Sequence, residues 1–418
     1  MGSNDITVGL DIGTTKVCAV LGVMGESGTF EITGVGKSPC NGLRKGAVVN
    51  IEATLRSVSE AVEAAELMSG VPADNFWTGI GGSNIDGIIS RGVAAVNGKS
   101  RENKEISQSD VDRVIEGARA VDFSMDREVI EVIPQTFIVD GHTGIRDPRD
   151  MIGVRLESEV HIITCSRNSA QNLINCINRA GFEVSGLVLQ TLAAARAVLT
   201  EEEKQLGSVL IDMGGGTTGI LAYQDGAANM VSSVPLGASQ VTNDISIVKN
   251  VSFETAEKIK IQAGCCWEPL LEGIEEEIIA PGMGGRSPVS IPRIEIVQII
   301  QPRMIETFKL IKERIARQLA DRSLVGGIVL TGGGACLEGA AELAAKIFGL
   351  PVRIGIPLAC GGLEPEYRNA VYSTAVGLVL EGRDRSAAVN GDGSERVIRE
   401  SGPSVFGRIA DWVRREFF

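Results

Sequence analysis

The sequence predicts an α/β protein of two lobes that share an internal duplication. An aspartate followed by a Gly/Thr turn occurs twice, at 11–16 and at 212–218, each time directly after an apolar run typical of a buried strand. The surrounding segments, 6–36 and 209–234, both alternate apolar stretches with turns. A chain of 418 residues is long enough for two lobes with separate cores. We therefore expect equivalent hairpins at the start of each lobe.

Between the two copies lies a segment with a different pattern. It combines strand-like runs with a polar helix start at 107–110, which predicts a small inserted α+β subdomain. Within it we expect two short strands on either side of Arg91-Gly92, and separate strands at 129–133 and 136–139.

Changes of pattern along the chain predict the domain boundaries. In chain order the parts are the first lobe at 1–82 and 163–195, the insert at 83–162, the second lobe at 196–244 and 323–382, its outer subdomain at 245–322 with a loop at 280–292, a flexible linker at 383–403, and an amphipathic helix at 404–418.

Composition and charge exclude several classes of protein. A net charge of −13 disfavours nucleic acid as a partner. The eight cysteines show no metal-ligand spacing, and most lie in apolar runs, which predicts reduced, buried side chains in a cytosolic protein. No apolar run reaches the ~18 residues that a membrane span requires.

Two Gly/Thr turns that face each other can hold a polyphosphate and a metal ion between them. Backbone amides of such turns form anion nests, and threonine and lysine side chains add donors. The anion-binding candidates are Gly13, Thr14, Thr15, Lys16, Gly214, Gly215, Gly216, Thr217 and Thr218. Asp11 and Asp212 suit Mg²⁺, bound through its waters.

A third strand-to-glycine turn follows the apolar run at 328–331. Its glycines, Gly332, Gly333 and Gly334, suit close passage of backbone over a nucleoside. Each motif alone could be a plain hairpin turn. The three together favour a site for ATP and Mg²⁺.

This arrangement resembles the actin/Hsp70/hexokinase ATPase superfamily, so the fold it implies is a two-lobed actin-like ATPase. The segments that carry the resemblance are 11–16 and 212–218 for the phosphate motifs, 331–335 for the adenosine motif, and 190–195 and 373–378 for the two connecting helices. Within the superfamily the chain looks like the FtsA family of bacterial cell division, through 42–46, 141–153, 199–207 and the position of the insert.

The resemblance implies a peripheral protein at the cytoplasmic face of the cell membrane, at the division site. It implies ATP binding, head-to-tail self-assembly, contacts with other divisome proteins, and recruitment of the tubulin-like FtsZ, whose C-terminal peptide we expect at 245–322. There the sequence displays Arg303, Lys309, Lys312, Arg314 and Arg317, among acidic residues that make a solvated mixed face an equal alternative.

Two further side-chain roles follow from the resemblance. Glu257 and Lys260 are candidate nucleoside contacts, with a solvated helix surface as the alternative. Gln190 is the candidate for positioning an attacking water, although Thr191 follows it where a proline is usual. Glutamine is a weak base at best, so we expect slow ATP hydrolysis at most. A small-molecule, sugar-type kinase of the same superfamily remains the alternative.

The last fifteen residues have strong helical amphipathicity, with an apolar arc opposite a basic one. The residues expected at a membrane are Val405, Phe406, Arg408, Ile409, Trp412, Val413, Arg414, Arg415 and Phe417. Partial burial of the apolar arc, aided by arginine against anionic lipid, predicts weak and reversible attachment of one copy. Docking on the protein's own lobes or on a partner groove stays open.

Overall fold

The computed structural model describes residues 6–25, 29–97, 105–281, 287–319, 324–358 and 360–391. The strands, in chain order, are β1 (Ile6–Ile12), β2 (Lys16–Met24), β3 (Phe30–Pro39), β4 (Leu43–Arg44), β5 (Ala47–Val48), β6 (Phe76–Ile80), β7 (Asp86–Ala95), β8 (Arg127–Val139), β9 (His142–Ile145), β10 (Arg155–Ser166), β11 (Val184–Leu189), β12 (Ser208–Met213), β13 (Thr218–Gln224), β14 (Ala227–Val234), β15 (Glu277–Ala280), β16 (Val289–Pro292), β17 (Gly327–Thr331) and β18 (Val352–Ile354). The helices are α1 (Ile51–Ser69), α2 (Gln108–Arg119), α3 (Arg167–Arg179), α4 (Gln190–Val198), α5 (Glu201–Leu206), α6 (Ala238–Lys249), α7 (Phe253–Ala263), α8 (Arg293–Leu319), α9 (Ala340–Phe348) and α10 (Ser373–Gly391).

The predicted duplication is visible in the topology of two five-stranded sheets. The first has the order β11-β6-β1-β2-β3 and the second the order β18-β17-β12-β13-β14. In each sheet an antiparallel three-stranded meander is followed by two parallel strands. The central strands β1 and β12 are almost fully buried, as expected where both faces of a sheet are covered.

Two helices connect the lobes, and their backbones cross at a very short distance. Helix α4 follows β11 of the first sheet and packs on β12 and β13 of the second, whereas α10 packs on β1, β2 and β6 of the first. At the crossing, a Cβ on Gly377 would overlap the carbonyl group of Ala193. One apolar cluster, with members from both sheets and both helices, fills the space around this crossing.

The predicted insert forms its own four-stranded antiparallel sheet, in the order β7-β10-β8-β9, with α2 on one face. The expectation of two short strands around Arg91-Gly92 was wrong, because β7 pairs continuously with β10 from Asp86 to Ala95. The two strands expected at 129–133 and 136–139 are likewise one strand, β8. Between the two halves of β8, the pairing with β10 shifts in register opposite Glu159 and Val160.

The insert is bound to the second lobe and to α10 as well as to the first lobe. On its sheet, Gln135 Nε2 and His161 Nδ1 both donate to the carbonyl oxygen of Ala228 in β14, at 2.9 and 3.4 Å. From α10, the buried Arg385 forms ion pairs with Glu131 of β8 at 2.6 Å and with Glu381 at 3.5 Å. The insert is therefore fixed at several points.

Helix α10 also corrects the predicted start of the linker. It continues to Gly391, so residues 383–391 are helical. The polar composition suggested a linker, but the ion pair of Arg385 with Glu131 holds this part of the helix against the insert. The rest of the predicted linker and the amphipathic segment 404–418 lie outside the described residues.

The outer subdomain of the second lobe contains the end of α6, helices α7 and α8, and a short hairpin. Part of the loop expected at 280–292 is strand, because β15 pairs with β16. Helix α8 runs through Pro302 and buries one apolar face, which includes Met304, Phe308 and Ile311, in the core of this lobe.

Six of the eight cysteines are buried, as predicted, whereas Cys336 is exposed and Cys360 half-buried. Burial raises the pKa of the Cys165 thiol to about 11. Among the described helices, none is both long and apolar enough to cross a bilayer.

The crossing of α4 and α10 predicts a strong effect of one added methyl group. We expect Gly377→Ala to lower the free energy of unfolding by about 1–3 kcal/mol, because the new Cβ overlaps the backbone of Ala193. Urea denaturation measures this change. The control is Gly117→Ala in α2, where the nearest heavy atom would be 4.0 Å from the new Cβ. Equal stability of the two variants would contradict the crossing.

Candidate functional site

The two duplicated turns meet in a cleft between the lobes, around a cavity of about 1350 Å³. Nearly all of the residues that the sequence predicts for the nucleotide and metal site line it. They are Asp11, Gly13, Thr14, Thr15, Lys16, Gln190, Asp212, Gly214, Gly215, Gly216, Thr217, Glu257, Lys260, Gly332, Gly333 and Gly334. The structure thus brings together three motifs that lie far apart in the chain.

The two turns have the same backbone geometry. Gly13 N donates to Lys16 O at 2.8 Å in the first, and Gly214 N donates to Thr217 O at 3.0 Å in the second. The turns also face each other closely, since a Cβ on Gly215 would lie 2.5 Å from Thr15 Cγ2. Their glycine amides and threonine hydroxyls can therefore surround a small anion from both sides.

Thr218 is the exception among the predicted anion-binding residues. It is fully buried as the first residue of β13, and its hydroxyl donates to Leu236 O at 2.8 Å. The structure does not bring it to the cleft. The repeated Thr-Thr sequence concealed this difference, because the second threonine of this pair already belongs to the strand.

One lysine and two carboxylates form the charged centre of the cleft. Lys16 Nζ lies 3.5 Å from Asp11 Oδ2. Burial lowers the pKa of Lys16, but the charges of Asp11 and Asp212 outweigh this effect, so the pKa is raised. Burial and the nearby Asp11 raise the pKa of Asp212 to about 6, despite the opposing effects of Lys16 and Thr374.

The donor set at this centre fits a hydrated magnesium ion. Two carboxylates converge next to hydroxyl-bearing turns, and hard oxygen ligands of this kind are those that Mg²⁺ prefers. Burial and then the charge of Asp11 raise the pKa of Asp212, and a bound divalent cation would offset the repulsion between the two carboxylates.

Each carboxylate is held by a side chain at the start of a connecting helix. Gln190 Nε2, at the start of α4, donates to Asp11 Oδ1 at 2.8 Å. Thr374 Oγ1, at the start of α10, donates to Asp212 Oδ2 at 3.3 Å. Sequence reasoning missed the role of Thr374, which is the second residue of α10, whereas Gln190 is the first residue of α4.

The other end of the cleft is formed by α6, α7 and the third glycine turn. Lys260 Nζ donates to Glu257 Oε2 at 2.7 Å, to Thr242 Oγ1 at 2.9 Å and to Ala238 O at 3.3 Å. Burial lowers the pKa of Lys260 even though Glu257 acts in the opposite direction. Glu257 and Lys260 are therefore an ordered pair facing the cleft, not a solvated surface.

The third turn comes close to the second. Gly332 has a φ of 82°, which favours glycine, and a Cβ there would overlap Asp212 Oδ1. The start of α6 supports the second turn, since Ala238 N and Ser239 N donate to Gly214 O and Gly215 O. The Leu236-Gly237 sequence before α6 was the available signal for this contact, and sequence reasoning did not use it.

The raised pKa of Asp212 predicts a pH-dependent cost to stability. An aspartate whose folded-state pKa is about 6 and whose unfolded value is 3.8 destabilises the fold progressively as pH rises through this window. We expect Asp212→Asn to be more stable than the natural chain by about 3 kcal/mol at pH 8, and by much less at pH 4.

Urea denaturation of the nucleotide-free protein at both pH values measures this difference. Glu202→Gln, at an exposed position, is the matched control and should change stability little at either pH. A difference for Asp212→Asn that is no larger at pH 8 than at pH 4 would contradict the assignment.

Solved structures with this fold include a pilus biogenesis complex and a nucleotide-bound protein. The PilM-PilN type IV pilus biogenesis complex matches with a TM-score of 0.62 at 16% identity, covering 90% of this chain and 98% of that chain. MreB5 of Spiroplasma citri bound to ADP matches with a TM-score of 0.52 at 15% identity, covering 94% and 100%. At such identities the likeness shows the actin-like fold alone, which confirms the predicted fold class.

Sequence comparisons are much more specific. The family described as Cell division protein FtsA matches residues 209–377, and the SHS2 domain inserted in FTSA matches residues 82–164. Cell division protein FtsA of Borreliella burgdorferi is 42% identical over 417 residues, covering 100% of both chains. The proteins of the same name from Pseudomonas aeruginosa and Escherichia coli (strain K12) are 38% and 34% identical, over 98% or more of each chain. The chain therefore belongs to the FtsA family of cell-division proteins.

Proposed function

We propose that this chain binds ATP and Mg²⁺, polymerises, and attaches FtsZ to the cytoplasmic face of the cell membrane at the division site. The observation that carries the proposal is the convergence of both phosphate turns, both carboxylates and the third glycine turn on one cavity. Structures of MreB5 bound to ADP and to AMPPNP, which share the fold, support the proposal that this chain binds a nucleotide.

Within this site the chain's residues divide between the phosphates, the metal and the nucleoside. The amides of both turns and Lys16 would bind the phosphates, and Asp11 and Asp212 would hold the waters of Mg²⁺. Glu257 and Lys260 face the place that the nucleoside would take. When bound, the metal neutralises phosphate charge. The side chains serve binding better than hydrolysis, because Gln190, the residue that the sequence suggests for orienting a water, is a weak base at best.

A nucleotide held by both lobes also fixes the angle between them. Each lobe contributes one turn, so binding of one molecule to both turns restrains the lobes relative to each other. We propose that this restrained form is the one that stacks head-to-tail on other copies. A polymer would then present many copies of the segment 404–418 to the membrane and bind it through avidity.

The membrane part of the proposal predicts sedimentation with lipid. We expect the full chain with Mg-ATP to pellet with anionic vesicles, and Trp412→Glu to stay in the supernatant because its charge falls on the apolar arc. Asp411→Asn, on the opposite face, is the matched control and should pellet normally. Asp212→Asn should lose the dependence of pelleting on Mg-ATP.

Several outcomes would contradict this tether. They are failure of the natural chain to pellet, equal pelleting after removal of 404–418, and equal pelleting of the Trp412 variant. Electron microscopy of the same samples on a lipid monolayer shows whether polymers form with ATP.

The ion pairs of α8 reduce the number of residues that we propose as contacts for the FtsZ peptide. Three of the five basic residues noted in the sequence already have partners. Arg303 pairs with Asp244 and Glu306, Lys312 donates to Ile347 O, and Arg317 pairs with Glu313. Among the described residues, no ion pair involves Lys309 or Arg314. We propose these two as the contacts for an acidic C-terminal peptide.

Charge reversal tests this surface. We expect Lys309→Glu together with Arg314→Glu to weaken binding of the FtsZ C-terminal peptide several-fold. The effect should be stronger at low salt, because these two cations, which form no ion pair with another described residue, attract an acidic ligand over a screened distance. Fluorescence anisotropy of a labelled peptide measures the affinity. Arg56→Glu, an exposed position on α1, is the control. An unchanged affinity of the double variant would exclude this face.

The kinase alternative gains no support from these findings. The chain matches cell-division proteins over its full length.

A further inference from the structure

The side chain of Gln190 makes two contacts that a residue that only orients water would not need. Its Nε2 donates to Asp11 Oδ1 at 2.8 Å. A carboxylate only accepts hydrogen bonds, so this contact fixes which end of the amide is the nitrogen. The amide oxygen therefore points in the opposite direction, towards the end of β6.

The end of β6 is shaped to receive this side chain. A Cβ on Gly81 would overlap Gln190 Oε1, and a Cβ on Gly79 would lie 2.8 Å from Gln190 Cγ. Neither glycine has a positive φ, so the backbone conformation does not require glycine at these positions. Glycine is required at both positions because the side chain of Gln190 occupies the space that a Cβ would take. The glutamine side chain thus packs against the backbone of two glycines, and its amide nitrogen is directed at Asp11.

The carboxylate of Asp11 is restrained at both of its oxygens. Gln190 holds Oδ1, while Lys16 Nζ lies 3.5 Å from Oδ2. Lys16 would turn to the phosphates when they bind, since it is the cation of the first turn. Gln190 would then be the remaining side-chain contact that keeps the carboxylate in its orientation.

We propose that Gln190 is a positioning residue that orients Asp11 towards hydrated Mg²⁺, and that Gly81 provides the space this requires. The inference rests on the proposed ATP–Mg²⁺ site and deepens it. Loss of an outer contact of this kind weakens metal binding without touching the metal itself. A residue that only oriented the attacking water would instead alter turnover and leave the metal dependence of binding unchanged.

The test measures binding of a fluorescent ATP analogue as a function of Mg²⁺ concentration. We expect Gln190→Ala to raise the Mg²⁺ concentration for half-maximal binding by on the order of tenfold, with unchanged affinity in EDTA. Gly81→Ala should produce a similar increase, because its Cβ displaces the glutamine. Gly117→Ala is the control for a glycine substitution and should match the natural chain.

The double variant Gln190→Ala/Gly81→Ala decides whether the two residues act as one unit. Without the glutamine there is nothing for the new Cβ to displace, so we expect no further increase beyond Gln190→Ala alone. Two results would overturn the inference. One is a natural Mg²⁺ dependence in Gln190→Ala, and the other is an equal effect of Gly81→Ala in both backgrounds.

The outcomes also separate this inference from the proposed function. If the natural chain does not bind the analogue at any Mg²⁺ concentration, the proposed ATP site is wrong. If the natural chain binds with a clear Mg²⁺ dependence that Gln190→Ala retains, only the positioning role is wrong. Urea denaturation of each variant shows whether a loss of binding comes from unfolding.

Discussion

The contact between Gly377 of α10 and Ala193 of α4 is the constraint on which the site depends. Each helix leaves one lobe and packs on the sheet of the other, so their backbones must meet where the lobes meet. The side chains at the start of both helices then reach the carboxylates, Gln190 to Asp11 and Thr374 to Asp212. A wider crossing would move both contacts at once.

The charges in the cleft oppose stability and serve binding. Two carboxylates and one lysine lie together, and burial together with the charge of Asp11 raises the pKa of Asp212 to about 6. A cation and a polyphosphate would complete this set of charges. Such a site lowers the stability of the unliganded protein, and binding of the cation and the polyphosphate would offset this loss. This relation between stability and function is common.

Much of this architecture could be predicted from the sequence because each part rests on local signals. The apolar runs before Asp11 and Asp212 predicted central strands, and the repeated turns predicted the duplication and the cleft. The roles of Thr218 and Thr374 could not be predicted in this way. Thr218 is turned inward by the start of a strand, and Thr374 reaches Asp212 only because α10 crosses α4.

The same limit applies to the insert and to the last described helix. The extent of β7 depends on pairing with β10, and the extent of α10 depends on the buried ion pair between Arg385 and Glu131. Both partners are distant in the chain, so the local pattern predicted shorter elements. Gln190 shows the limit most clearly, since its helix position was predicted and its hydrogen-bond partner was not.

The attachment of the insert has a mechanical consequence. Gln135 and His161 join it to Ala228 of β14, and Arg385 joins it to the far end of α10. A force on the insert is therefore shared between the second lobe and one of the two crossing helices, and does not fall on the chain connections to the first lobe alone. Through these contacts, a displacement of the insert is coupled to the angle between the lobes.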